Sequence, residues 1–157
     1  QGHYFNADSL YKRFTPAGPD HAQVAACAGM VDYVETLADH HGVNTGQVHD
    51  LMRGHETKLL QPLLEFLSDR NDVRLLGPSD AQGRAPTVAI SASTAGADLA
   101  RQLADHGIMA GGGDFYAVRA LEAMGIDPAH GVLRLSFTHY TSTDEIEKLI
   151  KALQVVL

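Results

Sequence analysis

Apolar positions recur along this chain in two rhythms, and the change from one to the other falls near residue 70. Over 21–41 the apolar residues are Val24, Ala25, Ala28, Val31, Tyr33, Val34, Leu37 and Ala38, a helical spacing. Asp20 stands before this run as an N-cap and Gly42 stops it. A second helical run covers roughly 45–69 with Val48, Leu51, Met52, Leu59, Leu60, Leu63, Leu64 and Leu67. Pro62 lies inside it and is expected to kink or divide the helix. The stretch 1–19 reads as irregular, with Thr15-Pro16-Ala17-Gly18-Pro19 as its strongest breaker.

After Asn71 the apolar runs shorten. Strands are predicted at 73–76, 87–91, 108–110 and 132–137, and helices at 95–106, 115–124 and 143–156. Gly111-Gly112-Gly113 falls between the third strand and the next helix and reads as a turn. The order β, β, α, β, α, β, α predicts an α+β fold, a small mixed sheet with helices on one face, preceded by two helices.

Composition narrows the function classes. The chain has 157 residues, 45% of them hydrophobic and 20% charged, enough for a packed core. Its net charge is −7 with no basic cluster, which points away from nucleic acid and from anionic membranes as partners. No apolar run approaches the roughly 18 residues of a membrane span. One cysteine, Cys27, rules out an internal disulfide framework and fits a reducing, cytoplasmic setting. The opening QGHYFNADSLYKRF has no long apolar stretch of a signal peptide and begins without Met, as a fragment would.

The strongest candidate chemistry lies over 131–153, GVLRLSFTHYTSTDEIEKLIKAL. Its strand carries Arg134, and an arginine in a strand is costly to bury unless an anion meets it. A guanidinium can hold a carboxylate with two parallel hydrogen bonds. A surface ion pair explains the same residue equally well. The triple glycine could form a nest of N–H groups for an anion, although it lacks phosphate-loop spacing and Asp114 beside it opposes an anion. The nine histidines are scattered, with no HExxH and no Cys/His ligand pair, so no metal site is expected. His139 follows the arginine strand and is the one histidine retained as a candidate. No GxSxG nucleophile elbow is present.

The block 131–153 resembles the C-terminal end of class V aminotransferases and cysteine desulfurases, pyridoxal-phosphate enzymes of fold type I. The resemblance runs along nearly the whole chain. FTPAGPD at 14–20 is similar to the family's Phe-x-x-Gly-Thr-Pro-Asn segment, with Gly18 where the family has a threonine that reaches the cofactor phosphate. Thr15 or backbone N–H groups are the possible substitutes. The helices at 20–38 and 47–67 resemble the family's helix leaving the large domain and its long connector. GIMAGGGDFYA at 107–117 resembles the loop that carries the sulfur-accepting cysteine of desulfurases, but Tyr116 stands at that cysteine's place.

From the resemblance follow several expectations. Arg134 binds the substrate's α-carboxylate, and Gly111, Gly112, Gly113, Asp114 and Tyr116 form an active-site loop, with His139 near it. A phenol cannot replace a thiolate in forming a persulfide, so desulfurase activity is not expected. The lysines are Lys12, Lys58, Lys148 and Lys151, and none matches the family's Schiff-base lysine. Residues 1–42 are then a remnant of the large cofactor-binding domain, and 43–157 the small domain with its connecting helix. Pyridoxal phosphate belongs to the full-length parent, a homodimer acting on an amino acid, and no cofactor is expected on this chain alone. The rival reading is a stand-alone α+β module for ligand binding or assembly, without catalysis.

Overall fold

The computed structural model describes residues 8–14 and 18–157. Two compact units are distinguished, Gln1–Asp50 and Leu51–Leu157. In the first, a short helix α1 covers Leu10–Phe14, within a stretch expected to be irregular. Helix α2 covers His21–His41. The Asp20 carboxylate accepts hydrogen bonds from the N–H groups of Ala22 and Gln23 at 3.0 and 3.1 Å, satisfying donors the first turn cannot use internally. Gly42, at φ +63°, closes the helix in the left-handed conformation that glycine adopts at least cost. Val24, Met30 and Val31 on α2 are exposed.

Helix α3 covers Thr45–Ser68 and begins in the first unit. Its start is held by reciprocal bonds of 3.1 Å between Asn44 and Gln47, each side chain accepting from the other's N–H. Pro62 does not divide it. The proline is exposed, while Leu59, Leu60, Leu63, Leu64 and Leu67 are all buried and fix the helix on both sides of it.

The second unit is built on four strands: β1 (Val73–Leu76), β2 (Thr87–Ala92), β3 (Gly111–Gly113) and β4 (Val132–Ser136). Helices α4 (Gly96–Asp105), α5 (Val118–Ala123) and α6 (Thr143–Val156) alternate with them. The α+β class is as expected. The expected mixture of parallel and antiparallel pairs is not: the sheet order is β1-β2-β4-β3, and each pair is antiparallel. The cause is topological. Strands β2 and β3 run in the same direction across the α4 crossover, and β4 inserts between them.

The strands' alternation sorts their side chains. Val88, Ile90, Leu133 and Leu135 join the leucines of α3, Leu99 and Leu103 of α4, and Ile146, Leu149 and Leu153 of α6 in the main core. The opposite parity carries Leu76, Ala89, Val132 and Arg134. Helices were expected on one face only. Instead Leu121 of α5 and Ile126 just after it cover Leu76 and Val132 on the second face, because those apolar side chains alternate out of the main core. The rest of that face is open around Arg134.

The expected third strand shifts as well. Residues 108–110 do not pair, and the strand is formed by the three glycines, opposite Arg134, Leu133 and Val132. The register is set by close backbone approach. A Cβ on Gly112 would lie 2.1 Å from the Gly96 carbonyl oxygen, and one on Gly96 would lie 2.2 Å from that of Val132. Only hydrogen fits there, so the start of α4 seats directly on β3 and β4. His130 reinforces the junction: its ring Nε2 bonds the Ala92 carbonyl at 2.9 Å and its own carbonyl accepts from Gly96 N–H at 3.1 Å. Arg84 closes the β1–β2 connection, donating to the carbonyls of Pro78, Thr87 and Leu76. Helix α6 starts with a capping box between Ser142 and Glu145. Among the described residues, no helix is long and apolar enough to cross a membrane.

Candidate functional site

Arg134 lies mid-strand on the open face and is exposed. Its register partners are Ala89 on one side and Gly111 on the other, neither with a side chain that could crowd it. The guanidinium carbon lies over the ring of Phe115, 4.0 Å from its centroid. Phe115 gets there because Gly111 leaves the space free. A Cβ on Gly111 would come within 3.0 Å of two ring atoms. Among the described residues Arg134 has no carboxylate partner; the ion pairs formed are Arg70–Asp72 and Arg101–Asp98. Two residues further along the same face Ser136 accepts a hydrogen bond from Thr87 Oγ1 at 3.2 Å, which puts two hydroxyls beside the arginine strand.

The segment leaving β3 is strained. Phe115 and Tyr116 have φ of +52° and +58°, a region that L-residues with large side chains rarely occupy. Asp114 supports it, its carboxylate accepting from Tyr116 N–H at 3.0 Å and its carbonyl from Ala117 N–H at 2.8 Å. Asp114 therefore braces a turn and does not cap α5, which starts at Val118. Tyr116 projects fully into solvent, and Phe115 packs against the satellite core of Leu121 and Ile126.

The structure thus gathers Arg134, Gly111 and Phe115, and places Asp114 and Tyr116 on the turn that follows. The reading of 111–113 as a turn or an anion nest is corrected. These glycines form an edge strand, and an extended strand does not converge its N–H groups on one point as a nest does. His139 follows β4, with its ring edge-on to Tyr140 at a centroid distance of 5.3 Å. A cavity of about 340 Å³ opens where 107–109 fail to pair with β4, lined in part by Ser136, Phe137, Glu145 and Lys148. Arg134 and His139 are not among its walls.

The remaining expectations fall elsewhere. Thr15 lies outside the described residues. Gly18 has φ +89°, a conformation unfavourable to a β-branched threonine, which accounts for glycine at that place. Lys148 donates to the Gly107 carbonyl at 3.2 Å, and Lys58 and Lys151 are exposed on their helices. Phe115 was not among the candidate residues read from sequence; its place under Arg134 follows from the register of β3 against β4.

Comparison with known proteins gives concordant results. The family model for aminotransferase class-V matches residues 16–149. An aminotransferase-like protein of Gibberella zeae is 28% identical over 163 aligned positions, covering 99% of this chain and 38% of that protein. A probable cysteine desulfurase of Pseudomonas putida is 30% identical over 144 positions, covering 89% and 31% respectively. The solved cysteine desulfurase of Thermococcus onnurineus superposes with a TM-score of 0.63 at 26% identity, over 70% of this chain and 27% of that one. The Escherichia coli cysteine desulfurase CsdA shares the fold, with a TM-score of 0.59 at 23% identity, over 78% of this chain and 27% of that one. The chain spans about a third of the length of the curated relatives it matches.

Proposed function

The chain belongs to the class-V aminotransferase family, whose members depend on pyridoxal phosphate, and on that footing we propose that it supplies the substrate-carboxylate receptor of an enzyme acting on an amino acid. Arg134 is the receptor. The observation that carries the reading is its exposed guanidinium, without a carboxylate partner among the described residues and flanked only by Ala89 and Gly111. A free planar fork facing solvent suits two parallel bonds to a carboxylate.

Pyridoxal phosphate supplies an electron sink for bonds at the amino acid's Cα. Two local features support assigning the cofactor to other parts of the protein: residues 111–113 form an edge strand and not a phosphate nest, and the Lys148 ammonium donates to the Gly107 carbonyl. The part of the work we assign to this chain is therefore binding and orienting the substrate, with the cofactor held by other parts of the full-length protein.

Replacing Arg134 by lysine in the full-length protein tests the reading. Lysine keeps the charge and loses the fork. Amino-acid binding should weaken by about 2–5 kcal/mol if the carboxylate is desolvated in the complex, while the cofactor's absorbance stays as it was. Unchanged affinity and turnover would refute the assignment.

A second reading is favoured by the names of two relatives, cysteine desulfurases by description. We place this chain outside persulfide formation on the loop itself. Tyr116 offers a phenol there, and the one cysteine, Cys27, lies on α2. A persulfide requires a thiolate. Incubating the full-length protein with L-cysteine and a reductant should release no more sulfide than the free cofactor does; catalysed release abolished by Cys27→Ser would establish the second reading.

A further inference from the structure

We infer that Phe115 is a positioning residue for Arg134, its ring forming a platform that holds the guanidinium in the orientation a substrate carboxylate meets. The inference rests on the carboxylate reading of Arg134 and deepens it.

An arginine whose strand neighbours are alanine and glycine has no lateral wall. Its side chain would sample many rotamers, and each binding event would carry the entropic cost of ordering it. Here the guanidinium carbon stands 4.0 Å from the Phe115 ring centroid, within the distance at which a cation is drawn to an aromatic face. Stacking leaves the in-plane N–H groups free to donate outward while it restricts rotation.

Three features converge on this stack. Gly111 pairs with Arg134 across the strands, and its missing Cβ is the space the ring occupies. Phe115 and the next residue are both held at positive φ, a strained conformation that turns the ring back onto the strand it has just left. Asp114 accepts from Tyr116 N–H at 3.0 Å and braces that turn. Filling the satellite core needs none of this strain, since Leu121 and Val132 are buried there by ordinary helical and strand backbone.

The test uses the full-length protein loaded with pyridoxal phosphate and titrated separately with L-alanine and with ethylamine, which is L-alanine without its carboxylate. Absorbance of the cofactor reports both. The Phe115→Leu variant should lower the preference for L-alanine over ethylamine by about two- to thirty-fold, the span of cation–π contacts, with ethylamine affinity unchanged. Phe115→Tyr should restore the preference. Gly111→Ala, which crowds the ring without removing it, should lower it again and guards against misfolding of any single variant. If Phe115→Leu weakens both ligands equally or leaves the preference intact while Arg134→Lys collapses it, the positioning role is overturned and the carboxylate reading stands. If Arg134→Lys itself leaves the preference unchanged, the carboxylate reading fails and takes the positioning role with it.

Discussion

Glu145 shows how much a single side chain can do at a helix start. Its carboxylate accepts from the Ser142 N–H at 2.7 Å and from the Ser142 hydroxyl at 2.9 Å, and these bonds hold its pKa below the ordinary value. A carboxyl with a depressed folded-state pKa adds stability at pH above its unfolded value and loses it as pH falls through the folded one. Glu145→Gln should therefore be less stable than the parent at neutral pH, with the gap closing below about pH 4. Thermal midpoints recorded across that range decide it, and a gap independent of pH would exclude the carboxylate as its source. Asp72, drawn down by its bond to Arg70, adds to the same acid sensitivity. At this scale the sequence was partly readable. Asp20 and Gly42 announce a helix's ends by type alone, and Arg134 stands out as a charged residue within an apolar strand. Phe115 announces nothing, because aromatic residues after a turn usually fill a core.

Among the elements, the lesson lies in β3. Ile108-Met109-Ala110 has the apolar character of a strand, and Gly111–Gly113 that of a turn, yet the pairing falls on the glycines. Hydrophobicity places strands when side chains choose the register. Here backbone contact chooses it, since Gly112 and Gly96 meet where no Cβ fits. Gly112→Ala should accordingly destabilise by about 1–3 kcal/mol or more, the range of overpacked cores, because the obstacle is backbone and cannot rotate aside. Gly54, mid-helix in α3 with nothing within 4 Å of a built Cβ, is the opposite case. Gly54→Ala should stabilise by about 0.5–1 kcal/mol through helix propensity. Denaturant unfolding of both variants measures the contrast; equal effects would contradict the account of β3. The long helices α2, α3 and α6 were legible from their periodicity, and the short strands β1, β2 and β4 from their apolar runs, whereas α1 and β3 were not, β3 because backbone contact sets its limits.

For the molecule as a whole, the central proposal is that the part of the sheet face left open by α5 presents Arg134 to an amino acid's carboxylate. The class and the family could be read from the residues around Arg134 and the FTPAGPD segment. The insertion of β4 between β2 and β3, which brings Gly111 beside Arg134 and Phe115 beneath it, could not, because it depends on strand order and not on any local pattern. The most direct measurement is a crystal structure of the full-length protein with pyridoxal phosphate and an unreactive amino-acid analogue bound. The account predicts both carboxylate oxygens on the Arg134 guanidinium at about 2.7–2.9 Å, with the Phe115 ring still stacked beneath it. A carboxylate held by another residue, or Arg134 closed into an ion pair with a protein carboxylate, would contradict it.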